Sequence, residues 1–572
     1  VALKGILPIL DWLPQYQKQD FRGDVFAGIT VGVMLIPQSM AYAMIAGMPP
    51  IFGLYASFIP PLIYALFGTS RQLSVAPVAM ISLLIGAGVG QLAPAGSGEY
   101  ISLTIALSLM VGVLQLLFGL FRMGFLVNFL SQPVISGYTS AAAIIIGLSQ
   151  LRHLLGVEMP SSNLIHEIFG GVANHYSETH LPTLIIGLSS IALLFMIKAI
   201  RKSLPGPLII VAMGIAVVSI FGLSQQGVKI VGSVPEGLPA FSLPVLSLER
   251  LGSMFSLALI ISLVGFMESI SIAKALQSKK RNHKVVANKE LLALGLSNIV
   301  GSFFNAFAVS GGFARTAVNE QAGANTNLSS WISSLIVGLT LLFFTTLFYN
   351  LPNAILAAII MVAVVGLIDI KTPVFLFNTY RKDFYMLLLT FLATLTFGVQ
   401  IGITTGVVLS LGLLIHRSVY PHLAELGRLP DTNYYRNLSR FPEAVERNDA
   451  LVFRFDSELY FANVNYFKER LEDMINKKGD KLKVIVLNAQ SIYNIDSSGA
   501  KGLEEIVDHC HSRGIRFYMT EVIGPVRDKL QVSGLLEKVG RDQFKMRCQD
   551  AIDSFDNDDA TQQGYATQAN TS

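Results

Sequence analysis

The chain has 572 residues, of which 52% are hydrophobic and 14% charged, with a mean hydropathy of +0.55. A soluble protein carries about 25% charged residues, so an ordinary soluble enzyme is excluded, and a formal net charge of +4 is too small for this length to point to a nucleic-acid partner. Nearly half of the Lys, Arg, Asp and Glu residues fall from Glu446 onward, which divides the chain into a membrane part and a soluble last quarter.

Val1 to Arg22 holds Trp12 and the polar run QYQKQD where a signal peptide would show an apolar core, so no cleavable signal is expected before the first span. Apolar stretches of about 20 residues, enough to cross a bilayer, then predict fourteen helical spans. They begin near Val25, Ile51, Ala76, Tyr100, Leu126, Leu181, Pro207, Leu251, Ala287, Arg315, Ser329, Asn353, Asp383 and Ile401. A cytoplasmic N-terminus puts Arg71, Arg122, Lys198, Arg201, Lys202, Lys279, Lys280, Arg281, Lys284, Lys371, Arg381, Lys382 and Arg417 inside and only Arg152, Lys229 and Arg250 clearly outside. That is the positive-inside pattern; an even number of spans returns the soluble part to the cytoplasm, and a multi-pass protein of the cell membrane is expected.

The third and tenth spans are irregular. Ser74 to Gly90 and Gly311 to Asn327 are short, rich in small residues and preceded by the extended-looking runs LSVAP and FAVSGGFA. Broken helices persist at membrane depth only where they line a cavity or are buried in protein. The two hold the same place in each set of seven, and QSMAYA from Gln38 echoes ESISIA from Glu268, so a 7+7 inverted repeat is predicted. The expected divisions are an N-terminal segment 1–23, a membrane domain 24–420, a linker 421–447, a small α/β domain 448–555 and a disordered tail 556–572. In the α/β domain LVFRF, KVIVLNA and GIRFYMTEV read as strands, and VNYFKERLEDMIN and SGAKGLEEIVDHCHSRG as amphipathic helices. The tail DNDDATQQGYATQANTS shows no apolar face. Cys510 and Cys548 both lie in the soluble part, which suits a reducing compartment.

Arg315 is the residue most informative about chemistry, because an arginine in an apolar stretch faces a cavity or pairs with a carboxylate to hold helices together. A second short helix is expected to begin near Pro77, proline being suited to the first helical position. If the two half-helices meet head to head, their free N–H groups and dipoles bind an anion and Arg315 adds a full charge. Glu268, in the middle of the eighth span, reads as a proton carrier or as a neutral, hydrogen-bonded structural acid. Gln38 and Tyr42, one turn apart after Pro37, offer a polar lip and an aromatic wall to the same cavity. Gly112, Gly119 and Gly295 read as close-packing positions. His153, His166, His175 and His180 share an external loop without metal-ligand spacing, and no phosphate-binding GxxxxGK[ST] run occurs; neither a cofactor, a metal nor an enzymatic activity is expected.

The run DVFAGITVGVMLIPQSMAYAMIAGMPPIFGLYASFIPPLIYALFGTSRQLSVAPVAMISLL and the later GGFARTAVNEQAGA resemble the opening signature and the tenth span of the sulfate permease (SulP) family of anion transporters. NIDSSGAKGLEEI resembles the STAS domain shared with bacterial anti-sigma-factor antagonists. The resemblance covers nearly the whole chain. It implies core and gate domains that move against each other, an anion held between spans 1, 3, 8 and 10, and a homodimer. It also implies substrate contacts from Gln38, Tyr42, Ala76, Val78, Ala79, Ala314, Arg315 and Thr316. Many relatives have serine where this chain has Ala314. Glu268 matches the acid associated with proton coupling, and Ile272 stands where a sodium-coupled relative has a hydroxyl. Ser498 matches the phosphorylatable serine of the antagonists and is equally placed to cap a helix. Proton symport of a small anion, sulfate first, is the expectation. The alternatives are a bicarbonate or dicarboxylate carrier, an anion exchanger, and, from another class, an anion-sensing scaffold that signals to a cytosolic partner through STAS.

Overall fold

The computed structural model describes residues 7–125, 131–159, 164–200, 205–245, 248–280 and 284–569. The expected start of the fifth span near Leu126, and Arg201, Lys202 and Arg281, lie outside them. The chain divides into two compact units, 1–410 and 411–572.

The first unit is helical, and among the described residues seven helices are long and apolar enough to cross a membrane. The helices that matter below are α1 Lys18–Ile45, α2 Ala79–Val89, α3 Gly98–Leu120, α4 Leu151–Leu155, α5 Leu181–Ile200, α6 Leu248–Lys280, α7 Ala287–Ser302, α8 Phe313–Gln321, α9 Leu328–Phe343, α10 Asn353–Val365 and α11 Val399–Val419. The only strands described here are two-residue pieces, β1 Val75–Ala76 and β2 Ser310–Gly311, each just ahead of a short helix. Pro77 does not open α2, as its sequence position suggested. It lies in the extended lead-in, where a proline also holds the residue before it extended, and α2 begins at Ala79 with Val78 as its N-cap.

Glycines set the closest helix contacts. A side chain at Gly112 of α3 would meet Ile299 N at 2.7 Å and Gly295 O at 2.8 Å, and one at Gly295 of α7 would meet Leu116 N at 2.6 Å. The two backbones therefore touch at a mutual glycine crossing, the arrangement that small residues permit between membrane helices. Gly119 packs on Leu292 in the same seam. Two buried acids then fix loops: Asp24 of α1 accepts from Asn325 N at 2.7 Å and Thr326 N at 2.9 Å, ahead of α9. Glu290 of α7 accepts from Tyr64 Oη and Thr69 N, each at 2.7 Å, and from Ser70 N at 3.1 Å, ahead of β1.

The second unit holds a six-stranded sheet in the order β4-β3-β5-β6-β7-β8, made of β3 Leu423–Arg428, β4 Tyr435–Asn437, β5 Ala450–Phe455, β6 Val484–Asn488, β7 Arg516–Thr520 and β8 Phe544–Lys545. The strands from β5 to β8 pair in parallel and β3 is antiparallel to β5. Helices α12 Val464–Lys478 and α13 Ser497–Ser512 cover one face through Phe467, Leu471, Leu503 and Val507, packed with Phe453, Ile485 and Phe517.

Two expectations are corrected here. The segment 421–447 is not a linker, since β3 and β4 add it to the sheet; Ala424 and Leu426 are buried beside Val452. The stretch from Asp556 is helical as far as Ala569, as the end of α14 Cys548–Ala569. Composition hid this because the helix is anchored upstream, where Cys548, Ala551, Ile552 and Phe555 form a helical stripe buried on the second sheet face. Arg447 and Arg516 pair with Asp556 and Asp558 at 2.8 and 2.9 Å.

The glycine crossing is testable. Gly295→Val is expected to destabilise the folded protein by about 3 kcal/mol, the upper range for overpacking a tight interior, seen as a lowered melting temperature in detergent. Gly252→Val, where an added side chain meets open space, is the matched control.

Candidate functional site

Apolar surroundings force every backbone group at a helix break to find a partner, and the breaks before α2 and α8 solve this together. Val75 faces Gly311 and Ala76 faces Ser310 in an antiparallel pair, and Gly312 N donates to Ser74 O at 3.0 Å. Antiparallel pairing sends α2 and α8 away in opposite directions, so both N-termini remain at the crossing. Neither has a side-chain cap, and the first N–H groups of each helix have no intrahelical acceptor. Two positive dipole ends thus face one place.

The crossing is braced from three sides. Ser269 of α6 accepts from Gly311 N at 2.8 Å, and its hydroxyl meets that of Ser310 at 2.9 Å. Asn298 of α7 accepts from Val309 N at 2.8 Å. Thr316 of α8 accepts from Ser74 N at 3.0 Å and donates its own N–H to Gly312 O at 3.0 Å. Thr316 therefore ties the two segments together.

Arg315 is 2% exposed, and its Nε and Nη2 are buried without a hydrogen-bond partner. A side chain at Gly312 would meet Arg315 Nη2 at 2.6 Å, so the guanidinium folds back over the N-cap of α8 and lies beside the helix end. Its charge acts on Tyr42 of α1 and Glu268 of α6, and Glu268 also acts on the buried Tyr138. Oε2 of Glu268 is likewise buried without a partner.

The structure thus brings Tyr42, Ala76, Val78, Ala79, Glu268 and Arg315 around one crossing. Gln38, one turn before Tyr42, is 5% exposed with Oε1 unpartnered. Ala314 is exposed on α8 next to Phe313. Sequence reasoning missed Ser269 and Asn298; the signal for Ser269 was its place directly after Glu268 in the repeated Glx-Ser pair. Ser498 lies in the other unit, exposed in the first turn of α13. Asp496 caps that helix by accepting from Gly499 N at 2.7 Å, which leaves Ser498 outside the capping role.

The sulfate permease family profile matches residues 21–390 and the STAS domain profile residues 441–551. The chain belongs to the sulfate permease family. It is 38% identical to the Arabidopsis thaliana protein named sulfate transporter 4.1, chloroplastic, over 96% of this chain and 82% of that one. Against high affinity sulfate transporter 2 of Stylosanthes hamata identity is 33%, over 97% and 87%. The structure of the murine Slc26a9 anion transporter in the inward-facing state superposes with a TM-score of 0.90 at 26% identity, covering 96% of this chain and 94% of that one. The fold is therefore that of a helical membrane transporter carrying a C-terminal STAS domain, and the family is one of transporters, not enzymes.

The brace generates a prediction for this transporter. Ser269→Ala leaves Gly311 N buried without its acceptor, which costs about 1–3 kcal/mol. A corresponding fall in melting temperature is expected with Arg315 untouched; unchanged stability would mean that the hydroxyl does not hold the crossing.

Proposed function

We propose that the protein carries a small anion, sulfate first, in symport with protons. The anion is held by Arg315 and the N-termini of α2 and α8, and the proton by Glu268. The observation that carries this is Arg315, whose Nε and Nη2 are buried without a hydrogen-bond partner and whose guanidinium lies over the N-cap of α8, at a crossing where a second helix N-terminus also has no side-chain cap. A desolvated cation is costly, and an anionic substrate supplies a counter-charge when Glu268 is protonated and neutral. The plant relatives named as sulfate transporters make sulfate the first anion to test.

The surrounding proposal is a fourteen-span 7+7 inverted repeat with core and gate domains, working as a homodimer in the cell membrane, with the N-terminus and STAS cytoplasmic. The distribution of Lys and Arg supports the orientation, and the helices among the described residues are consistent with the expected spans. Gln38 and Tyr42 wall the substrate. Ala76, Val78, Ala79 and Ala314 surround it with backbone and small side chains, while Thr316 acts from behind. Ser498 remains the regulatory candidate. A phosphate there would sit in the first turn of α13, where negative charge is favoured.

Uptake of labelled sulfate, bicarbonate, dicarboxylates and chloride into proteoliposomes tests the reading. Arg315→Ala removes a charge-assisted contact worth roughly 1.5–3 kcal/mol, so affinity is expected to fall about 10- to 150-fold; unchanged affinity would sink the site.

Protonated Glu268 is neutral and leaves the positive field to the anion, whereas the ionised acid competes for it, so proton and anion bind with positive linkage. Uptake therefore rises as external pH falls. Glu268→Gln holds the neutral state, and anion exchange is expected to persist while accumulation driven by an inward proton gradient disappears. Proton-driven accumulation equal to wild type in this variant would place the coupling elsewhere.

A further inference from the structure

A second group of cations lies on other elements of the membrane unit. Helix α4 ends at Gly156, whose φ of 74° is left-handed. A side chain there would meet His180 Cβ at 2.9 Å and Thr183 Cβ at 3.1 Å, so the turn is pressed onto the start of α5. His180 N donates to Leu155 O at 2.9 Å, and the His180 ring bonds Thr183 Oγ1 at 2.7 Å and Gln226 O at 2.9 Å. The segment that follows Gln226 is tied in turn to the start of α10. Val231 N donates to Leu351 O at 2.8 Å and Asn353 N to Lys229 O at 3.0 Å.

These fastenings border a partly open cavity of about 290 Å³ whose lining includes Arg152, His153, Glu158, Thr183, Lys229 and Asn353. Lys229 pairs with Glu158 at 2.8 Å, but the Glu158 side chain is 88% exposed. Arg152 has no carboxylate partner among the described residues. Its Nε donates to His153 Nε2 at 3.1 Å, which makes that nitrogen an acceptor and leaves the outer guanidinium N–H groups to the cavity. The N-terminus of α10, uncapped by any side chain, contributes Asn353 and Ala354 to the same wall. The lining thus holds two cations against one exposed acid, with a positive helix end beside them.

We propose that this cavity is a second anion site, separate from the Arg315 crossing, that takes a tetrahedral oxyanion between Arg152, Lys229 and the first turn of α10. The forked guanidinium matches two oxygens of such an ion, and Lys229 supplies a point charge opposite. An ion here joins α4, α5, the Lys229 segment and α10. Binding to the folded state alone then stabilises this part of the protein in proportion to ligand occupancy.

The test uses purified full-length Arg315→Ala protein in detergent, titrated with sodium sulfate against sodium gluconate at constant ionic strength while the melting temperature is followed. A saturable rise is expected. Adding Arg152→Gln or, separately, Lys229→Gln is expected to weaken the apparent affinity at least about tenfold, with elution profiles showing folded protein. The same Arg152-dependent component is expected with Arg315 intact, so the outcome does not hang on the reading of the central site. No sulfate response in Arg315→Ala, or a response untouched by both further substitutions, overturns the proposal. Repeating the titration in nanodiscs with and without phosphatidylglycerol distinguishes the source of the oxyanion. Loss of the sulfate response only when that lipid is present assigns the site to a lipid phosphate, and its persistence assigns the site to the free anion.

Discussion

A positive charge buried in an apolar interior is the constraint around which the membrane unit is organised. Arg315 has no hydrogen-bond partner for Nε and Nη2, so burying it is costly and the groups around it have to be held in place. The rigidity is visible in hydrogen bonds: Ser269, Asn298 and Thr316 each satisfy a backbone amide in or just before the crossing strands. Because those amides are accounted for, the donors left over are the N-terminal ones of α2 and α8, which point where the guanidinium lies. The glycine contact of α3 with α7 and the acids Asp24 and Glu290 then hold the helices that carry these braces.

Much of this was legible in the sequence, for a physical reason. A charge within an apolar stretch is rare enough to be read from the letters alone, which made Arg315 and Glu268 visible, and runs of small residues between apolar stretches marked both broken helices. The braces were not legible because their partners are distant: Ser74 and Thr316 are 242 residues apart, and a buried threonine looks the same in sequence whether it touches a ligand or a backbone amide. Pro77 misled for a related reason. Proline suits both the first turn of a helix and the extended residue before it, and the β1–β2 pairing selects the second.

In the second unit, β5, β6 and β7 are rich in apolar residues and could be read directly. Strands β3 and β4 could not, since charged and turn residues interrupt their apolar pattern, and they join the sheet by pairing, β3 with β5 and β4 with β3. Helix α14 was hidden by its acidic, glutamine-rich end. Four apolar residues in its first two turns hold it to the sheet, and Arg447 and Arg516, on the loop before β5 and on β7, receive its aspartates. Net acidity in a segment is a poor guide to disorder when complementary cations wait on a neighbouring surface.

The pairing of β1 with β2 also has a consequence for biogenesis. A ribosome delivers Val75 long before Gly311, so during insertion the first half of the protein enters the bilayer with the amides around β1 unmet, each a liability of several kcal/mol in hydrocarbon. Water, lipid headgroups or the insertion machinery must shelter that segment until β2 arrives and closes the ladder. Nascent chains halted before Ser310 would carry a broken third helix that has nothing to pair with.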